Sequence, residues 1–193
     1  MKVAIFGGTF DPIHLGHLEV ATAAADEFGL DRVLFIPAGR PPHKAKRELV
    51  PYEDRLEMVR LACEDDPRFE ASRLEEPGQG RPSYSIHTIE RLRGDLEQDD
   101  RLFVILGADA FNDLFTWYRV DDVVRLAEFI VVSRPGEAIA NVLGVRLQSL
   151  GGVANPLSAS AVRSRLSTGD RCQDALRPAV SSYIEVAGLY SVP

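Results

Sequence analysis

Short, unbroken apolar runs alternate with stretches of helical periodicity along this chain, and few folds satisfy that order. Val3-Ala4-Ile5-Phe6 is a β-rich run that ends in Gly7-Gly8. Leu18, Ala21, Ala25 and Phe28 then recur at helix spacing, and Gly29 closes the pattern before a second run, Val33-Leu34-Phe35-Ile36, stopped by Pro37. The unit repeats. Leu56, Val59 and Cys63 mark a helix face before Phe69-Glu70-Ala71, and Ile89, Leu92 and Leu96 mark another before the run at 102–106. A further run at 129–132 ends at Arg134-Pro135-Gly136. Strands that are apolar throughout are covered on both faces, so this order predicts an α/β fold with a doubly wound parallel sheet. A weaker strand near 145–150 and a loop through Asn155-Pro156 come next. A helix from about Ser158 follows, and a closing helix carries Leu176, Val180, Ile184 and Ala187 on one face. This small helical C-terminal part, about 157–193, belongs to one domain spanning 1–193.

Composition narrows the function. A chain of 193 residues, 45% apolar, buries roughly 70% of its surface and needs no metal or disulfide staple. Its 22 basic and 29 acidic side chains leave a net charge of −7, which argues against a nucleic-acid binder held by counterion release. No apolar run is long enough to cross a bilayer, and the N-terminus lacks a signal-peptide pattern, so the expectation is a cytoplasmic protein with no membrane partner. Cys63 and Cys172 lie far apart, without a C-x-x-C pair or zinc-type spacing, and read as buried small apolar residues.

Ligands in such sheets bind beyond the strands' carboxyl ends, and there the chain is unusual. Between the first strand and the first helix lies Gly7-Gly8-Thr9-Phe10-Asp11-Pro12-Ile13-His14-Leu15-Gly16-His17. Glycines allow close backbone approach, and free amides at a helix start attract phosphate. His14 and His17, three apart, can point the same way and add two ring donors. Such a turn suits a polyphosphate.

This string resembles the nucleotidyltransferase superfamily with its H-x-G-H signature, and its Gly-Gly-Thr-Phe-Asp-Pro-x-His wording resembles the bacterial nicotinate-mononucleotide adenylyltransferase family. Further motifs match in the same order over nearly the full chain. Pro37-Ala38-Gly39-Arg40-Pro41-Pro42-His43-Lys44 resembles the family's proline-rich loop ending in His-Lys. Pro82-Ser83-Tyr84-Ser85 is similar to its Pro-Ser/Thr-Tyr-Thr element, where Ser83 or Ser85 is placed to cap a helix. Gly107-Ala108-Asp109 resembles its Gly-x-Asp, and Trp117-Tyr118-Arg119 its Trp-Tyr-Arg. Leu157-Ser158-Ala159-Ser160-Ala161-Val162-Arg163 resembles the superfamily's Ile-Ser-Ser-Thr-x-x-Arg. Three positions depart from the patterns: His87 stands where the family usually has Asp, Ala159 replaces Ser, and Ser160 replaces Thr.

The resemblance implies a Rossmann-like fold and adenylyl transfer from ATP to nicotinate mononucleotide, giving nicotinate adenine dinucleotide and pyrophosphate in NAD biosynthesis. It implies His14, His17, Lys44 and Arg163 as the catalytic set. ATP would be bound by Gly7, Gly8, Thr9, Phe10 and the two histidines, with Gly107, Asp109, Ser158, Ser160 and Arg163 completing its site. The mononucleotide would meet Thr9, Lys44, Tyr84, Ser85 and Trp117. Mg2+ is expected on the ATP phosphates, with no protein metal cage. Oligomeric state is left open, a homo-oligomer included. Phosphopantetheine adenylyltransferases share H-x-G-H but lack the Pro-Pro-His-Lys, Ser-Tyr-Ser and Trp-Tyr-Arg elements. A nucleotide-binding regulator without turnover is the rival of a different class, and intact His14, His17, Lys44 and Arg163 argue against it.

Overall fold

A computed structural model describes residues 1–39, 49–78, 84–133, 139, 144–153 and 156–191. Six parallel strands form one sheet in the order β3-β2-β1-β4-β5-β6. The strands are β1 (Lys2–Gly8), β2 (Arg32–Pro37), β3 (Phe69–Ala71), β4 (Arg101–Gly107), β5 (Glu128–Val132) and β6 (Leu147–Leu150). The chain builds outward from β1 to β3, then returns to pair β4 on the other side of β1. That reversal leaves a crevice beyond the carboxyl ends of β1 and β4, where doubly wound sheets bind ligands.

Alternate residues of each strand serve two cores. Ala4, Val33, Phe35, Phe103, Ile105 and Ile130 face one side; Val3, Ile5, Leu34, Ile36, Leu102, Val104 and Phe129 face the other. The first side is covered by α1 (Leu15–Phe28), α2 (Tyr52–Cys63), α6 (Ala159–Leu166) and α7 (Pro178–Val186). Val162, Leu176, Val180 and Ile184 share this core, so the C-terminal helices are part of the main packing. The second side is covered by α3 (Ser85–Asp95), α4 (Ala108–Asn112) and α5 (Val120–Leu126).

The expected doubly wound fold is thus present, with refinements. Gly29 caps α1 at φ 62, a left-handed conformation that costs an L side chain energy and a glycine none. The periodic pattern on 89–96 ends a residue sooner, Leu96 being the C-cap of α3. Between β4 and β5 the chain makes α4, a single 3-10 turn at Leu114–Thr116 and α5, three pieces too short to register as periodicity. Cys63 and Cys172 are buried and unpaired to each other, as their apolar reading implies, and burial pushes the Cys63 thiol up to about 12. No helix among the described residues is long and apolar enough to cross a membrane.

Candidate active site

Two clefts open beyond the carboxyl ends of β1 and β4 and meet at Leu106. The first, about 380 Å³, is lined by His14, Gly16 and His17 on one side and Gly107, Ala108, Asp109, Ser158 and Ala159 on the other. The second, about 220 Å³, is lined by Gly7, Gly8, Ala38, Glu75, Ser85, Thr88 and Trp117. The residues singled out along the sequence therefore divide between two spaces that share a wall.

The turn from β1 into α1 is built around Phe10. Its backbone sits at φ 47, a strained region for a side-chain-bearing residue, and its ring is buried. The ring stands edge-on to His17, 5.1 Å between centroids, and close to Phe6 and Phe35. A Cβ on Gly8 would lie 2.9 Å from this ring, so only glycine admits the wedge. The Phe10 side chain thus supports His17 from the core, and Phe10 lines neither cleft.

His14 is the N-cap of α1 in extended conformation. Its ring stacks on that of His17, with centroids 3.7 Å apart and planes at 25°. The His14 backbone N–H donates to His17 Nδ1 at 3.2 Å, which makes Nδ1 an acceptor and leaves the proton of a neutral ring on Nε2. His14 Nδ1 is buried with no hydrogen-bond partner among the described residues, and burial lowers its pKa to about 4. At neutral pH His14 is therefore an uncharged imidazole.

Asp11 and Arg55 hold this turn from behind. Arg55, 2% exposed, donates from Nη1 to the carbonyls of Thr9 (2.7 Å) and Ala38 (2.9 Å), and from Nε to Val50 O. One guanidinium therefore fixes the turns after both β1 and β2. Burial lowers its pKa, with the Asp11 carboxylate opposing that shift. Arg163 Nη1 donates to the Asp11 carbonyl at 2.6 Å, so its guanidinium is anchored on the same turn and does not line the first cleft as described. Neither Arg55 nor Asp11 was singled out for a role from the sequence. The signal for Arg55 was available: it lies three and four residues from Met58 and Val59 on the buried face of α2.

Ser158 caps α6, its Oγ accepting from Ala161 N at 3.2 Å and lying 3.1 Å from Ser160 Oγ. Capping by Ser85 is corrected: Tyr84 is the N-cap of α3, without a side-chain bond, and Ser85 is the first helical residue. Tyr84 turns its half-exposed ring against Tyr118, centroids 4.8 Å apart, rather than lining the second cleft. His87 lies by both rings, its Nδ1 3.7 Å from Glu90 Oε2. Thr88 Oγ1 donates to Glu75 Oε1 at 2.9 Å, and both belong to the second cleft without having been foreseen. Lys44, with Arg40, His43 and the rest of its loop, lies outside the described residues, as do Pro82 and Ser83.

The profile of the cytidylyltransferase-like family matches residues 5–165. The chain belongs to this family. A protein of Solibacter usitatus named "Probable nicotinate-nucleotide adenylyltransferase" is 50% identical over 191 residues, covering 99% of this chain and 100% of the relative. A Thermus thermophilus protein of the same name is 42% identical, covering 98% and 100%. Among solved structures, Plasmodium falciparum nicotinic acid mononucleotide adenylyltransferase complexed with NaAD has the same fold at 16% identity. Its TM-score is 0.78, and the match covers 98% of this chain and 97% of that one. The family fixes the class of enzyme: the protein is a nucleotidyltransferase.

Proposed function

We propose that this protein transfers the adenylyl group of ATP to nicotinate mononucleotide, forming nicotinate adenine dinucleotide and pyrophosphate in NAD biosynthesis. The observation that carries the reading is the pair of adjoining clefts, a stacked histidine pair lining one and Trp117 the other. Two anionic substrates that must meet at one phosphorus need such a divided space. ATP takes the first cleft, with its triphosphate beside the start of α1 and its ribose toward Asp109 at the end of β4. The mononucleotide takes the second, its pyridine ring against Trp117.

The mononucleotide 5′-phosphate is already a nucleophile. One of its oxygens bonds to the α-phosphorus of ATP while the bridging bond to the β-phosphate breaks, and the electron pair leaves with pyrophosphate. No side-chain nucleophile is required, so the work is positioning and charge stabilisation. His17, with its proton on Nε2, donates to a phosphate oxygen whose charge grows as the bond breaks. His14, held neutral, supplies the stacking partner that orients His17. Arg163 and Lys44 are assigned to the phosphates as cations, Arg163 from its anchor on the Asp11 carbonyl.

Mg2+ fits this arrangement as a passenger on the substrate. Asp109 is the carboxylate that lines the first cleft among the described residues, and it would hold the ion together with the substrate's own phosphate oxygens. Held there, the ion would supply neutralisation of the triphosphate charge. ATP and a mononucleotide as substrates assign the protein to the cytoplasm.

The test is a comparison of kcat/KM for nicotinate and nicotinamide mononucleotides at equal ATP and magnesium, with products identified by mass. The carboxylate only accepts hydrogen bonds, whereas the carboxamide also brings two donor hydrogens. Facing backbone N–H groups at the start of α3 by Ser85, which lines the second cleft, the amide would leave groups unpaired at about 1–3 kcal/mol each, so the acid form should be favoured by about tenfold to a hundredfold. Equal values would refute a donor-lined pocket.

A further inference from the structure

The turn carrying the paired histidines is tied to residues distant in sequence. Asp11, three residues before His14, is 2% exposed. Its Oδ1 accepts from the Tyr190 hydroxyl at 2.8 Å across 179 residues of chain. Its carbonyl accepts from Arg163 Nη1 at 2.6 Å, and that same nitrogen lies 3.9 Å from Asp11 Oδ2. Tyr190 itself holds a left-handed backbone at φ 63, a conformation that a non-glycine residue keeps only where its surroundings impose it. Next to this knot, the Leu15 amide of α1 donates to Ala175 O at 2.8 Å.

We propose that Tyr190 is a positioning residue of the first cleft: by holding the Asp11 carboxylate, it fixes the turn that sets His14 and His17 in their working geometry and anchors the Arg163 guanidinium behind them. The role rests on the reading of that cleft as the ATP site. Burial, and then the Asp11 charge, raise the Tyr190 phenol, so it stays protonated and remains a donor. Losing that donor removes one of the bonds that hold the buried carboxylate and strengthens the pull of Arg163, a cation 3.9 Å from it among the described residues. Closing the 3.9 Å gap draws the guanidinium off the Asp11 carbonyl and shifts the turn on which both histidines depend. Misplacement of about an ångström is enough to slow a phosphoryl transfer that relies on alignment.

Tyr190→Phe keeps the ring and removes the donor. Tyr183→Phe is the control, because Tyr183 donates to Asp54 at 2.7 Å on α2, a comparable bond away from both clefts. Both variants should lose thermal stability. Tyr190→Phe should also lose roughly tenfold or more in kcat with each KM within about threefold, while Tyr183→Phe keeps its kcat. Imidazole 15N–1H resonances of His14 and His17 read the same effect without turnover, moving in Tyr190→Phe and staying in Tyr183→Phe. A wild-type protein that forms no dinucleotide defeats the adenylyl-transfer reading, and the resonances still decide the role of Tyr190. Histidine resonances unchanged in Tyr190→Phe, or moved equally in both variants, overturn the proposal. An unchanged kcat in Tyr190→Phe overturns it as well.

Discussion

The buried, uncharged His14 ties stability to pH in a way that can be worked out in advance. Its pKa falls from 6.5 to about 4 on folding, because burial penalises the imidazolium. Between those two values the unfolded chain holds a proton that the folded chain rejects, so stability rises with pH across the window. The contribution is present above pH 6.5 and is lost as pH falls toward 4. Linkage across that interval makes the loss about 2 kcal/mol between pH 7 and pH 5, and about 3 kcal/mol by pH 4. His14→Asn keeps a residue suited to the N-cap and removes the titration. Urea unfolding of wild type and His14→Asn at half-unit steps from pH 7.5 to 5 isolates the term from the carboxylates, whose titration is common to both. The stability of wild type relative to His14→Asn should fall by about 2 kcal/mol from pH 7 to pH 5. A difference that stays flat within about 0.5 kcal/mol would refute the claim that His14 is held neutral by burial.

Three further expectations concern the same site. His17→Ala should lower kcat by about 10²-fold or more while leaving ATP affinity much less changed, since a donor to departing phosphates gains strength in the transition state; equilibrium ATP binding beside turnover checks this. Arg55→Met should cost about 3–5 kcal/mol in chemical unfolding, because the carbonyls of Thr9, Ala38 and Val50 lose their donor inside the protein. Ser158→Ala removes the cap of α6 and should cost about 1 kcal/mol in stability, measured by thermal unfolding.

The sheet was legible because each central strand is apolar on both faces, as in Val33-Leu34-Phe35-Ile36, and because glycine and proline punctuate the runs. The crevice was legible too, since His14, His17, Gly107, Asp109 and Ser158 all fall at carboxyl ends of strands or the helix starts that follow. What escaped were residues whose roles depend on distant partners. Arg55 acts through three carbonyls supplied by other segments, and Asp11 is recognised only once Arg163 and Tyr190 arrive from 152 and 179 residues away. Capping misled at Ser85 for a local reason: Ser83-Tyr84-Ser85 offers three neighbouring positions for one cap, and the cap position fell to Tyr84. The α4–α5 segment was unread because helices of 5 and 7 residues complete at most two turns.

Direct attack on ATP by the mononucleotide is tested most plainly by following pyrophosphate, first with ATP and magnesium alone and then after adding nicotinate mononucleotide. A site that works by positioning two substrates should release none in the first stage. In the second it should release one pyrophosphate for each nicotinate adenine dinucleotide formed. Release from ATP alone, or none with both substrates present, would contradict the proposed reaction.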